Sequence, residues 1–356
     1  MANKNILSNL LKSINNPFAS ILDDGCIYDN MELISTGNYL FNAQISGSMF
    51  GGFPSNKIFI LAGEQATGKT FILLNTLREY LNSNSKHSVV LFETEGAIDK
   101  KLIQKRGLDP SRIMIVPISS VEEFKKQSIQ LITALNDASE EDRPKILMAL
   151  DSIGMLASEK EVEDALAGKT VQDMTRAKTF KSAFRILTLS LARNNIPLIA
   201  TNHTYQTIGG FIAKKSMGGG SAAYFSASAI AFLGKGQVKD DGVLTGTRVF
   251  CSLEKSRMTR EKTKIEFDID FCSGIDPYSG LFDFCLKAKL VKMKGKKYHV
   301  DNFPDNEHDK KTILSNPSIL FTPESMKWLD TKMKEIFEYG SYDGVEIENF
   351  IESDSE

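Results

Sequence analysis

The chain has 356 residues, 42% of them hydrophobic and 25% charged, a globular composition with room for one large α/β core plus small additions, or for two domains. Its formal net charge of −2 excludes a uniformly cationic, histone-like binder, though not a protein whose charge is segregated along the chain. Cys26, Cys251, Cys272 and Cys285 form no Cys-x-x-Cys pair and have no nearby histidine, which argues against a zinc site and, at this length, against a disulfide framework.

The first residues lack the basic-then-apolar layout of a secretory signal. No apolar run approaches the roughly 18 residues needed to cross a bilayer, so a cytoplasmic protein without membrane contact is expected. Ile6, Leu7, Leu10, Leu11 and Ile14 fall on one helical stripe that breaks at Asn15-Asn16-Pro17. Residues 1–30 thus form a leading segment whose helix packs either on its own core or on a neighbouring subunit. From Lys57 to about Asp270 short apolar runs alternate with amphipathic stretches. Strands are expected at 58–62, 88–92, 112–116, 146–150, 196–200 and 227–233, with helices between them. Phe180, Phe184, Leu187 and Leu191 mark one helix face, and Arg176, Lys178, Lys181 and Arg185 fall largely elsewhere. Such alternation implies an α/β fold, a mostly parallel sheet covered by helices on both faces. Residues 248–253 and 264–269 read as strands flanking a basic turn, so the core ends in antiparallel strands. Lysines then crowd residues 287–297, a capped helix is expected at 323–337, and from Asp343 to Glu356 the only charged residues are acids. The expected division is 1–30, 31–286, 287–340 and an acidic tail at 341–356.

Gly63-Glu64-Gln65-Ala66-Thr67-Gly68-Lys69-Thr70 satisfies G-x-x-x-x-G-K-[ST] in full, after an apolar strand and before a helical stretch. Its glycines let the backbone wrap a phosphate, and the helix N-terminus adds a favourable dipole. Lys69 is expected on the β- and γ-phosphates and Thr70 on Mg²⁺. A second metal-binding group is expected where another buried strand stops, and Lys145-Ile146-Leu147-Met148-Ala149-Leu150-Asp151 supplies Asp151 there. The run ending Phe92-Glu93-Thr94-Glu95 places two carboxylates just past a third strand. Catalytic groups gather at these carboxyl ends, but spacing alone does not choose between Glu93 and Glu95 as the residue that orients water.

Taken together, these motifs resemble the RecA-like recombinases, specifically the phage UvsX-type branch, over residues 34–286. Residues 63–70 match the Walker A loop and 147–152 the Walker B strand. Phe92-Glu93-Thr94-Glu95 is similar to the family's acid-x-Glu strand end, which assigns the catalytic role to Glu95. Thr201-Asn202-His203 matches a third strand end, where the family has a polar sensor between γ-phosphate and DNA; His203 is similar to the phage branch, and cellular relatives have Gln. Asp99 joins the nucleotide-binding set. Met217-Gly218-Gly219-Gly220 with Tyr224-Phe225-Ser226-Ala227 resembles the close of the second DNA-binding loop. Glu254-Lys255-Ser256-Arg257 and the block 274–280 are also similar to family blocks, whereas the region after Lys287 is shorter than usual.

The resemblance implies a RecA-like P-loop ATPase core that uses ATP and Mg²⁺. It implies two DNA loops, near 157–175 and 203–220. In the first, Lys160, Lys169 and Arg176 are the candidate contacts among many acids. In the second, Thr207, Ile208, Gly209, Gly210, Phe211, Ile212, Lys214 and Lys215, with Gly218, Gly219 and Gly220, offer flexible backbone, side chains that wedge or stack between bases, and two cations. Lys255 and Arg257 are expected to cross to a neighbour's γ-phosphate and to act in catalysis. The expected activity is a DNA-dependent ATPase that forms helical filaments on single-stranded DNA, pairs it with homologous duplex and exchanges strands. The implied partners are other copies of the chain, a mediator and a single-strand-binding protein; a phage-encoded form would work in the host cytoplasm. The lysines of 287–297 are candidates for guiding duplex DNA. A ring helicase of the same fold, or a non-enzymatic mediator, are the rival readings.

Overall fold

Runs of Ile, Leu, Val and Ala make stable parallel strands only where both faces are covered. The expected strands lie in such a place in the computed structural model, which describes residues 2–139, 143–169, 175–206, 215–218 and 220–339. The elements are α1 (Ala2–Ser13), β1 (Leu33–Ile34), α2 (Tyr39–Ser46), β2 (Phe53–Pro54), β3 (Ile58–Gly63), α3 (Lys69–Ser83), β4 (His87–Glu93), α4 (Lys100–Lys105), β5 (Ile113–Pro117), α5 (Val121–Asp137), β6 (Lys145–Asp151), α6 (Glu159–Leu166) and α7 (Thr175–Arg193). There follow β7 (Leu198–Gln206), β8 (Lys215–Met217), α8 (Gly220–Ser226), β9 (Ala229–Asp240), β10 (Val243–Ser256), β11 (Lys264–Asp270), β12 (Gly274–Ile275), α9 (Leu281–Lys287), β13 (Val291–Lys294), β14 (Lys297–Val300), β15 (His308–Asp309), α10 (Lys310–Ser315) and α11 (Pro323–Phe337).

The main sheet has the order β12-β11-β10-β9-β3-β7-β6-β4-β5, with β8 on the extension of β7. The strands from β9 to β5 run parallel, and β10, β11 and β12 continue antiparallel. The two-residue period of a strand divides the core. Leu61, Leu233 and Leu253 face α2, α3, α9 and α11, meeting Ile72, Leu77, Leu281 and Leu329. Ile60, Ala62, Leu198 and Ile230 face α5, α7 and α8, meeting Phe124, Phe180, Phe184 and Ala223.

Several features go beyond the sequence reading. β7 runs on to Gln206, and β9 with β10 makes a hairpin out to Asp240 and Val243. The stretch expected to be the first DNA loop contains α6, because the Ser158 side chain accepts the Glu161 N–H and Glu159 and Glu161 suit the positive end of the helix. α11 starts as expected, with Thr322 as cap and Pro323 in the first turn. However, Leu329, Met333, Ile336 and Phe337 join the same apolar cluster as Leu40 and Phe267, so this segment shares the core of the sheet. The Asp330 carboxylate adds a polar tie, accepting from Ser48 Oγ at 2.8 Å and Met49 N at 2.7 Å. At the other end, Ile6, Leu10 and Ile14 on the α1 stripe are each more than half exposed, at 57%, 54% and 53%, so of the two packings open to this helix the one on its own core is not adopted. The tail at 341–356 lies outside the described residues. Among the described residues no helix is long and apolar enough to cross a membrane.

Candidate nucleotide site and nucleic-acid face

The loop from Gly63 to Thr70 leaves the carboxyl end of β3, level with His203 on β7 and Leu233 on β9. A Cβ on Gly63 would lie 2.6 Å from Thr67 Oγ1 and 2.7 Å from Leu233 O, so only glycine permits this close approach. Gly68 has φ 87° and starts α3 with no side-chain cap, which leaves the first N–H groups of that helix for an anion. Lys69 is buried and folds back under the loop, its Nζ donating to Gly63 O at 3.0 Å and Glu64 O at 2.8 Å. Burial lowers the pKa of its ammonium; the carboxylates of Asp151 and Glu95 oppose that shift, and Lys235 adds to it. An uncapped helix start, a glycine cradle and a buried cation suit a polyphosphate.

Thr70 Oγ1 donates to Asp151 Oδ2 at 2.7 Å, and Thr201 Oγ1 donates to Asp151 Oδ1. The Asp151 carboxyl is pushed up mainly by burial, and the two hydroxyls hold it back. A hydroxyl paired with a carboxylate in this way is a donor set for a hard divalent cation completed by water and phosphate oxygens.

The same strand ends separate the two glutamates. Glu93 is buried, and its carboxylate accepts the N–H groups of Glu95 at 3.2 Å, Gly96 at 2.7 Å and Ala97 at 3.0 Å. It anchors the turn. Glu95 instead meets side chains from two other strands: Ser152 Oγ at 3.0 Å and His203 Nε2 at 3.6 Å, both on Oε1. Three strand ends thus converge, carrying Glu95, Asp151 and His203. Asp99 caps α4 four residues beyond Glu95, accepting the Leu102 N–H at 2.7 Å.

Lys255 and Arg257 lie elsewhere. Lys255 Nζ donates to the carbonyls of Tyr224 at 2.6 Å and Phe225 at 3.1 Å, and Arg257 Nη2 donates to Phe225 O at 3.3 Å. The Arg257 N–H bonds Ser228 O, and the Ser228 N–H bonds Ile58 O. Arg257 is therefore level with the first residue of β3, about 16 Å of strand away from Gly63.

The candidate DNA residues divide. Lys160 and Lys169 both pair with Asp164, at 3.1 and 3.7 Å. Arg176 donates to Leu156 O at 2.6 Å, Gly154 O at 2.8 Å and Ile153 O at 3.4 Å, so it braces the chain after Asp151 from within. Lys178, Lys181 and Arg185, spaced along one face of α7, are exposed, and none makes an ion pair with another described residue. Their three- and four-residue spacing is the sequence signal for such a face. Of the second loop, Thr207, Ile208, Gly209, Gly210, Phe211, Ile212, Lys214 and Gly219 lie outside the described residues. Lys215 begins β8, Gly220 begins α8, and Gly218 is held at the root of the loop, its N–H on His203 O at 3.1 Å and its carbonyl on Asn202 Nδ2 at 2.8 Å. In the later lysine cluster, Lys287 pairs with Glu266, Lys292 with Asp301 and Lys294 with Glu307, which neutralises much of the charge expected to face duplex DNA.

Comparison with known proteins agrees with this architecture. The RecA N-terminal domain family matches residues 5–276. The "Recombination and repair protein" of Enterobacteria phage T4 is 35% identical over 300 residues, covering 84% of this chain and 75% of its own length. "Protein RecA" of Malacoplasma penetrans is 24% identical over 270 residues, 75% of this chain and 77% of the relative. "Protein RecA" of Rhizobium etli is 26% identical over 295 residues, 81% and 77% respectively. The chain belongs to the RecA family of recombination and repair proteins, on its phage UvsX-type branch.

Proposed function

We propose that this recombinase is a DNA-dependent ATPase that works as a helical filament on single-stranded DNA, pairs that strand with homologous duplex and exchanges strands. The observation that carries the reading is the separation within one chain. Lys69, Thr70, Asp151 and Glu95 stand at the carboxyl ends of the strands, while Lys255 and Arg257 stand at the opposite end, about 16 Å away. Those cations are out of reach of their own phosphate loop, and a second copy would present its loop to them. Assembly then completes the site.

Bound ATP with Mg²⁺ supplies a transferable phosphoryl group and neutralises its charge. Residues 63–70 would wrap the phosphates, Lys69 would meet the β- and γ-oxygens, and Thr70 and Asp151 would hold the metal. Asp99 and His203 complete the proposed nucleotide contacts. Glu95 would accept a hydrogen bond from the attacking water. A neighbour's Lys255 and Arg257 would oppose the charge that develops. His203 shares strand β7 with the root of the second loop through Gly218, which gives a short route from nucleotide to DNA. The second-loop residues, together with the α7 cations, would hold the strand, by stacking and by phosphate contact. The exposed stripe of α1 supports assembly through segment 1–30 as a unit of its own, ahead of the ATPase core and the C-terminal segment. The implied partners remain a mediator and a single-strand-binding protein, and the implied site of action is the host cytoplasm.

Electron microscopy of the protein with single-stranded DNA, Mg²⁺ and a slowly hydrolysed ATP analogue tests the proposal. Long helical filaments are expected. Closed rings would turn the reading to a helicase of the same fold, and bare DNA beside free particles would turn it to a mediator.

A further inference from the structure

We infer that Ser152 is a positioning residue for hydrolysis, fixing the one carboxylate that must hold water; the inference rests on the reading of Glu95 given above. Glu95 follows the end of β4 in a turn, its side chain 38% exposed, where a flexible glutamate samples many rotamers. Ser152 is fully buried and stands just past the end of β6. Its hydroxyl donates to Glu95 Oε1 at 3.0 Å.

The donor is itself fixed relative to the turn that carries Glu95. The Ser152 N–H donates to Thr94 Oγ1 at 2.7 Å, and that hydroxyl donates onward to Asp151 O at 3.0 Å. The Thr94 N–H also donates to Asp151 O, at 2.9 Å. Thr94, Ser152 and Glu95 therefore close a ring of hydrogen bonds between two strand ends, and Glu95 cannot swing without breaking it. The ring also orients the carboxylate. Both side-chain neighbours, Ser152 and His203, lie on Oε1. Among the described residues Oε2 has no protein donor, so it is the oxygen left to accept a hydrogen bond from water. A general base works only when held within hydrogen-bond reach of its proton, and displacement of such a group by about 1 Å costs on the order of 10²-fold in rate.

Ser152→Ala removes the hydroxyl and keeps the N–H bond to Thr94, so it isolates the contact. The test measures DNA-stimulated ATP hydrolysis, equilibrium binding of a fluorescent ATP analogue, and the crystal structure of the nucleotide-free variant. We expect kcat to fall roughly 10- to 100-fold, with KM and analogue affinity unchanged and the Glu95 carboxylate displaced in the crystal. In a Glu95→Gln background the same change should have no further effect, because the residue it positions is already disabled. An unchanged kcat in Ser152→Ala while Glu95→Gln is inactive would overturn this inference and leave Glu95 in place. So would an equal loss in the Glu95→Gln background, or an unmoved Glu95 in the crystal. Wild-type rates in Glu95→Gln would overturn the role of Glu95 itself, and this inference with it. If Ser152→Ala does not fold, Thr94→Val breaks the same ring from the other side, and Thr94→Ser should restore kcat; failure of that rescue counts against the proposal.

Discussion

The two ends of the central sheet arrange their charged residues differently. At the carboxyl ends, β3, β4, β6 and β7 bring a buried lysine, a threonine, two acids and a histidine into one cluster. At the other end, Lys255 and Arg257 hang from main-chain carbonyls beside an exposed phenylalanine, Phe225, and no acid of the nucleotide group is near them. At the first end Lys69 lies in the field of Asp151 and Glu95; at the second, Lys255 is repelled by Arg257 and drawn by Glu261, with the Tyr224 ring 5.3 Å from its Nζ. Cations set at the end opposite the phosphate loop suit a head-to-tail assembly, in which each interface joins one end to the other.

The sharpest break of that comparison is Arg257→Ala. Loss of a cation that opposes transition-state charge should lower kcat by about 10³-fold or more, with thermal stability nearly unchanged. Mixing this variant with Lys69→Ala should then restore measurable hydrolysis, because some interfaces would pair an intact loop with an intact arginine. A mixture as inactive as its components would mean that both groups serve the same chain. Glu95→Gln comes next, with a loss of about 10²- to 10⁴-fold in kcat and retained nucleotide affinity. Glu93→Gln should show the reverse pattern, a loss of about 1–3 kcal/mol in denaturant unfolding, because Glu93 holds three main-chain N–H groups.

Smaller effects test the contrast between the braced and the exposed cations. Arg176→Ala should cost about 2 kcal/mol of stability, as three carbonyls lose a charged donor, and should leave the salt dependence of DNA binding unchanged. Lys181→Ala should do the opposite. Stability should stay within about 0.5 kcal/mol, and the slope of log affinity against log salt should become shallower by about 0.7 if one phosphate contact is lost. A shallower slope for Arg176→Ala alone would return that residue to the DNA face.

Much of the candidate nucleotide site is legible in the sequence because its determinants are local. The phosphate loop needs glycines, a lysine and a hydroxyl at set spacing between a strand and a helix, and residues 63–70 carry them in order. Asp151 was legible for a similar reason, as an acid where an apolar run ends. The helix at 323–337 announced itself through Thr322 and Pro323. The formation of α6 is also readable: Ser158 followed three residues later by Glu161 is a helix-start pattern, although the acids of this stretch draw attention to charge first.

The rest depended on long-range register. Nothing in Phe92-Glu93-Thr94-Glu95 says which glutamate turns inward to bind main-chain N–H groups, because those groups belong to the turn that forms only once β4 ends where it does. Nor does the lysine content of 157–185 say which cations face solvent; Asp164 and the carbonyls of 153–156 claim three of them after α6 and α7 have packed. By itself the sequence determined the family, the phosphate loop, the strand–helix alternation and the set of charged residues available. Tertiary structure decided their assignments, since a buried charge takes whichever partner folding brings within about 3 Å, and strand order, not sequence distance, sets Ser152 beside Glu95 and Arg257 at the far end of β3.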